Sequence, residues 1–573
     1  MTYGLFLFSY YVLSLRPLKD KSKETMIKKT LFLIAFVATL TPGFACTNFL
    51  VGKAATLDGS TLISYNADSY FLFGALYRYP AATYPVGTML DVHDWDSGKY
   101  LGKIKQAEST YSVIGNMNEH QVSIGETTFG GREELVDTTA IMDYGSLIYI
   151  ALQRSKTARE AIKVMTDLVT EYGYYSEGES FSIADPNEVW ILEMVGKGRN
   201  NKGAVWVAQR IPDDCVSAHA NQARITTFPF DDKNNCLYSE DVIAFAREKG
   251  YFKGKNKDFS FSDTYAPLDY VALRACEARV WSFFRKLDPT MDKYISYVKG
   301  ETAERMPLWI KPTFKLTAQK LKDCMRDQYE GTEFDMTKGI AAGPFGSKLR
   351  CSPLTFKVDS VEYVHERPTA TQQTGFTFIA QMRSWLPDYI GGILWFGVDD
   401  AATSLYVPMY CGITKVPECY RADNGSLLEY SSTSAFWIYN SVANYAYSKY
   451  SFMYPDIKKV QAQWESDFNA LVPAMDKVAV GMNENDARIF LTNFSNSQAE
   501  NSTAAWKKLG EYLLVKYMDG NIKAEKNGKF VQNEYKIPTT IIRAGYPEEF
   551  MRQMVKENPG FRVKTSDEMK NRK

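Results

Sequence analysis

Residues 26–45 read MIKKTLFLIAFVATLTPGFA and are followed by Cys46. Lys28 and Lys29 form a basic n-region, Leu31–Leu40 an apolar h-region, and Gly43-Phe44-Ala45 a small-x-small cleavage site. This is the composition of a secretory signal peptide. Cleavage after Ala45 would give Cys46 two chemical functions. Its thiolate is a strong nucleophile, and its freed α-amine, with a pKa near ~7.7–8, can act as a base at neutral pH. One N-terminal residue then supplies both partners of an acyl transfer, and no histidine is required. The plainer alternative is a cysteine that merely follows a cleavage site, since a cysteine without a partner motif is weak evidence. Asp68 is the nearest acidic candidate. If residues 46–68 form a hairpin turning at Asp58-Gly59, Cys46 faces about residue 71 and Asp68 lies within ~10 Å of the amine. A carboxylate there would orient the α-ammonium, although aspartate also commonly caps turns and strand ends.

Other chemistry finds little support. There is no G-x-S-x-G, no G-x-x-x-x-G-K-[ST], no G-x-G-x-x-G and no H-E-x-x-H. The four histidines (His93, His120, His219, His365) read as polar residues satisfied by neighbours, because a triad is defined by geometry rather than by sequence. The eight cysteines are far apart; the closest pair, Cys411 and Cys419, has seven residues between them. That spacing excludes zinc-ribbon and C-x-x-C redox motifs, and no metal or other cofactor is implied. Lys+Arg and Asp+Glu are both 67, which leaves no whole-chain footprint for nucleic acid. The 573 residues, 45% hydrophobic and 23% charged, have ordinary globular usage.

The elements that must position Cys46 follow from pattern. After the first hairpin, TYSVIG (110–115) and QVSIGETT (121–128) read as a second one, turning over Asn116–His120. Helices are expected over 143–155 and from Thr157, which with Glu160 forms a capping box, to the stop at Gly173. Residues 179–221 return as a four-strand antiparallel meander joined by short turns. Helices are expected near 266–287 and 314–328, strands over 353–415, and helices again from Ser434 to about Met518. Strand and helix blocks joined this way predict an α+β fold.

Several blocks carry a resemblance: CTNFLVGKAATLDGSTLISYNADS, GNMNEHQVSIGETTFGG, IPDDCVSAHANQARI, MRDQYEGTEFD, TQQTGFTFIAQMRSWLP and GGILWFGVDDA. Spread in order over roughly residues 46–450, they resemble the cysteine-dependent (PepD-type) dipeptidases of the N-terminal-nucleophile (Ntn) hydrolase superfamily. The resemblance implies a four-layer αββα sandwich of two antiparallel sheets, here with a helical C-terminal extension, and hydrolysis of dipeptides through an acyl-cysteine. It matches Cys46 to the nucleophile and Asp68 to the acidic residue of an R-N-x-D stretch. That stretch reads Tyr65-Asn66-Ala67-Asp68 here, so a neutral phenol stands where the family has a fixed cation. Asn221 resembles the oxyanion-side asparagine, Arg367 a later site arginine, and Thr128 an oxyanion-adjacent residue; Tyr65, Asn66 and Thr128 are the expected substrate contacts.

The expected organisation is a leader (1–45, its true start possibly Met26), a catalytic domain (46–430), a helical region (431–520) packed on it, and a charged tail (521–573). The expected partners are small peptides, with no nucleic acid and no stable membrane insertion after processing. The sequence does not give the oligomeric state. Export is expected, free rather than lipid-anchored, because Gly43 and bulky Phe44 stand where a lipoprotein signal prefers Leu and then a small residue. Two other functions stay open: a non-peptide amidase or acylase of the bile-acid or penicillin type, and a catalytically inactive binding protein, for which Tyr65 is the best argument.

Overall fold

The computed structural model describes residues 46–571 apart from Ser352. The expected leader and its cleavage signal lie outside the described residues. The chain is α+β, with two antiparallel sheets and a helical C-terminal region.

The strands of the two sheets are β1 (Asn48–Val51), β2 (Thr61–Asp68), β3 (Arg78–Tyr79), β4 (Val113–Ile114), β5 (Met117–Asn118), β6 (Ser123–Gly130), β7 (Gly178–Ala184) and β8 (Val189–Gly196). They continue with β9 (Ala204–Ile211), β10 (Val216–His219), β11 (Cys236–Tyr238), β12 (Trp309–Ile310), β13 (Thr374–Met382), β14 (Ile393–Val398) and β15 (Val407–Tyr410). One sheet runs β12-β10-β1-β2-β13-β14-β15; the other runs β11-β9-β8-β7-β6-β5-β4-β3. β1 and β2 lie against β6, β7 and β8 of the second sheet. Residues of β1, β2, β7 and β8 are buried on both faces, as strands covered from both sides must be.

Two helices next to the second sheet are α1 (Tyr144–Arg154), capped by the Asp143 carboxylate, and α2 (Ala158–Tyr172), capped by the Thr157 hydroxyl. The expected capping box is half made: Glu160 reaches the backbone N–H of Lys156, one residue before the cap. Gly173 ends α2 with φ +78°, a conformation that favours glycine. α3 (Ala278–Leu287) packs on β10 and stacks Phe283 on Phe49 of β1, ring centroids 3.9 Å apart. α4 (Ala435–Ser448), α5 (Tyr450–Val480) and α6 (Glu484–Tyr517) are long helices, of which α5 and α6 pack on β15 and α4 on β14. Buried ion pairs tie α5 to the rest, Arg326 with Glu465 and Arg383 with Asp476. Among the described residues no helix is long and apolar enough to cross a membrane.

Three local expectations need correction. The first hairpin does not turn symmetrically at Asp58-Gly59. Leu50 pairs with Ile63 and Thr47 with Asn66, which sets Cys46 opposite Ala67 rather than residue 71. The cause is a 3-10 turn, Lys53–Ala55, whose N–H groups dock on the Asp213 carbonyl; Gly52 approaches that loop so closely that a Cβ would sit 2.5 Å from Asp213 O. The second hairpin turns at Gly115-Asn116, with β4 paired to β5, and a further turn leads into β6. The meander has three strands; its fourth, β10, crosses to the other sheet and pairs with β1.

Candidate active site

The sheet order makes β1 the neighbour of both β2 and β10, so the start of β1 is surrounded by residues from each. Cys46, 5% exposed, stands there with its Sγ in the wall of a cavity of about 100 Å³. Tyr65, Asp68, Glu126 and Thr128 share that wall, with Asp96 and Tyr144 also lining it.

The thiol is held in a triangle. Sγ lies 3.6 Å from the Tyr65 hydroxyl and 3.7 Å from Glu126 Oε1, and the Tyr65 hydroxyl donates a short hydrogen bond to that same Oε1. Phe376 and Phe378 fix the Tyr65 ring through edge contacts at 5.6 and 5.7 Å. Burial pushes the Cys46 thiol up, and the charges of Glu126 and Asp68 push it further. Burial likewise raises the Tyr65 hydroxyl, so it acts as a neutral donor. The Glu126 carboxyl is pushed up to about 7, first by burial.

Asp68 ends β2 one residue past the position opposite Cys46. Its Oδ2 accepts from the Arg367 guanidinium at 2.7 Å and its Oδ1 from the Thr374 hydroxyl at 2.5 Å. Thr374 reaches it through a bulge at Gly375 in β13, where a Cβ would lie 2.6 Å from Leu72 Cγ. Burial raises the Asp68 carboxyl despite the opposing pull of Arg367 and Thr374.

A buried arginine joins β1 to the loop after β10. Arg279, from the first turn of α3, is 1% exposed. It donates to the Cys46 carbonyl at 2.6 Å, the Thr47 hydroxyl at 2.8 Å, and the Ala220 carbonyl and Asn221 Oδ1 at 3.0 Å each. Asn221 adopts φ +63° and donates through Nδ2 to the Thr128 carbonyl at 2.7 Å. One of its two amide hydrogens is thereby used.

Of the residues singled out from sequence, Cys46, Tyr65, Asp68 and Thr128 meet at the cavity. Arg367 touches it through Asp68, and Asn221 is linked to Cys46 through Arg279. Asn66 is not brought to the cavity. Strand alternation turns it to the opposite face, where Nδ2 donates to the Thr369 carbonyl and Oδ1 accepts from Thr377. Its expected substrate contact is therefore replaced by a structural bond between β2 and β13. Sequence reasoning passed over two residues: Arg279, an arginine inside an apolar helical stretch, and Glu126, a carboxylate in an otherwise uncharged strand. His219 bridges the Thr127 and Ser182 hydroxyls at 2.7 Å each, and burial lowers its pKa to about 3. It is a satisfied core histidine. Among the described residues no cluster of three or more His, Cys, Asp or Glu could hold a metal ion.

Tyr65→Arg tests the electrostatics of the triangle. A guanidinium beside Sγ favours thiolate over thiol, so alkylation of Cys46 should follow a profile shifted to lower pH. Arg367→Ala should shift that profile modestly upward, because it leaves the Asp68 charge beside Cys46 without its partner. An unchanged profile in Tyr65→Arg together with a large upward shift in Arg367→Ala would show instead that Arg367 supplies the missing cation.

The sequence matches the model of Peptidase family C69 over residues 45–76 and 74–463. It is similar to a probable dipeptidase of Latilactobacillus sakei, 26% identical over 471 residues that cover 78% of this chain and 90% of that one. A probable dipeptidase of Salmonella dublin is 25% identical over 401 residues, 66% of this chain and 84% of the other. Probable dipeptidase B of Lactococcus lactis subsp. lactis (strain IL1403) is 24% identical over 497 residues, 82% and 94%. The family match covers most of the chain and begins one residue before Cys46; the chain belongs to peptidase family C69.

Proposed function

We propose that this peptidase is an exported dipeptidase, activated when signal removal makes Cys46 the N-terminal residue. In this reading the two sheets and their flanking helices form the four-layer αββα sandwich of the Ntn hydrolases, and residues 46–430 are its catalytic domain. The observation that carries the proposal is Cys46: a buried thiol at the start of a central strand, facing a cavity, with a carboxylate one register step away.

The mechanism uses this chain's own groups. The α-amine of processed Cys46 takes the thiol proton, and Sγ attacks the scissile carbonyl carbon. Asp68, fixed by Arg367 and Thr374, orients the resulting ammonium. The second amide hydrogen of Asn221 serves the tetrahedral oxygen, with Arg279 holding the asparagine in place. The ammonium protonates the leaving amine, the first product departs, and water hydrolyses the thioester by the reverse proton route.

Mass analysis of the exported protein's N-terminus, combined with a dipeptide panel, tests this reading. The expected result is a chain beginning at unmodified Cys46 that hydrolyses dipeptides. A lipidated Cys46, or a mature start elsewhere, would remove the mechanism. Turnover confined to N-acyl amides of the bile-acid or penicillin kind would favour the amidase alternative.

A further inference from the structure

The wall facing the thiol carries carboxylates that no cation of the described protein neutralises. Glu126 is 1% exposed; its Oε1 receives Tyr65, and its Oε2 receives no donor from the described residues. Behind it Glu179 accepts the Thr128 hydroxyl on Oε1 at 2.7 Å, and its Oε2 is likewise without a donor. Each carboxyl is raised first by burial, Glu126 to about 7, and the charge of Glu126 pushes Glu179 further up. Asp96, at the solvent side of the cavity, accepts from the Tyr144 hydroxyl at 2.9 Å. Among the described residues no Lys, Arg or His forms an ion pair with Glu126, Glu179 or Asp96. Tyr77, Trp95 and Tyr149 line the same space.

We propose that Glu126 holds the free α-ammonium of the substrate's N-terminal residue, so that the cavity selects peptides with an unblocked N-terminus against amides whose acyl part is neutral or anionic. This rests on the dipeptidase reading and adds its specificity determinant.

The geometry closes. A carbonyl carbon poised for attack lies about 3–3.5 Å from Sγ. The α-nitrogen, two bonds from that carbon, is roughly 2.5 Å from it. A charge-assisted N–H···O bond spans about 2.7–2.9 Å. These three lengths bridge the 3.7 Å between Sγ and Oε1 without moving either residue. The N-terminal residue's own ammonium is held at this short fixed length from the reacting carbon, whereas a lysine ammonium sits on a long rotatable stem. The tyrosine at position 65 gains a reason as well. An arginine there would neutralise Glu126 from within, whereas the neutral phenol leaves that charge for the substrate's cation. An anionic acyl group placed here would face an unneutralised carboxylate in a low-dielectric cavity.

The test compares Ala-Ala with N-acetyl-Ala-Ala and with lactyl-alanine, in which a hydroxyl replaces the ammonium. Processed wild type should favour Ala-Ala in kcat/KM by 100-fold or more. Glu126→Gln should compress that ratio at least tenfold, mainly through the KM for Ala-Ala. A variant that keeps the wild-type ratio would overturn the assignment while the dipeptidase reading stands. Wild type alone gives a second measurement. Alaninamide should compete with substrate and lactamide should not, and the competition should fade above about pH 8 as the amine loses its proton. Equal competition by the two amides would overturn the assignment even if the variant fails to fold. Absence of turnover on every unblocked dipeptide would overturn the dipeptidase reading itself, and this assignment with it.

Discussion

Cys46→Ala is expected to abolish dipeptide turnover, a loss on the order of 10⁴-fold or more, with the fold retained. The alanine leaves backbone pairing of β1 untouched, since Thr47 and Asn66 make the first bridge through main-chain atoms. The lost Sγ contributes little packing, and its removal takes away a group whose ionisation burial and Glu126 oppose. Circular dichroism and the thermal midpoint should therefore stay close to wild type. Cys46→Ser should retain only a small residue of activity, because a hydroxyl is a much weaker nucleophile near neutral pH. Substantial turnover by the alanine variant would sink the assignment of the nucleophile.

The second large effect is expected at Arg279. A methionine there fills similar volume but strips donors from the Cys46 and Ala220 carbonyls, the Thr47 hydroxyl and Asn221 Oδ1, all buried. Leaving such acceptors unpaired costs about 3–5 kcal/mol of stability in comparable buried networks. Activity should suffer separately, because Asn221 and the Cys46 main chain lose their common anchor. A displacement of about 1 Å is enough for a 10²-fold loss. Arg279 is a positioning residue, so kcat should fall more than KM changes. Arg279→Lys keeps the charge without the planar fork and should rescue poorly. If the folded fraction of Arg279→Met showed wild-type kcat, the arginine would be purely structural.

The sequence was informative where local chemistry decides. Thr157 caps α2 as its residue type predicts and Gly173 stops it, while Asp143, expected as the first helical residue, caps α1 instead. The position of Cys46 beside Asp68 was visible because both lie on one short hairpin. The register was not, because it depends on Gly52–Ala55 docking against Asp213, a contact with a segment some 160 residues away. The crossing of β10 to the other sheet was hidden for a similar reason. Its connection to β9 is as short as a hairpin turn, yet its hydrogen bonds go to β1. Arg279 was hidden in a helix whose amphipathic pattern alone does not show which buried acceptors one long side chain will reach. Tyr65 was noticed as a departure, but its role depends on Glu126 of the opposite sheet, a pairing no local pattern encodes.

The triangle of Cys46, Tyr65 and Glu126 also bears on chemical durability. Peroxides and alkylating agents attack thiolates rather than thiols. A sulfur kept protonated by burial and by two carboxylates offers an oxidant little to react with, whereas Cys351 lies exposed to solvent. Damage should therefore reach Cys351 first. If a substrate ammonium settles on Glu126 as proposed, the charge that opposes ionisation is balanced, and the sulfur gains reactivity at the moment a peptide bond lies beside it. The empty protein would then be latent, its nucleophile armed by its own substrate.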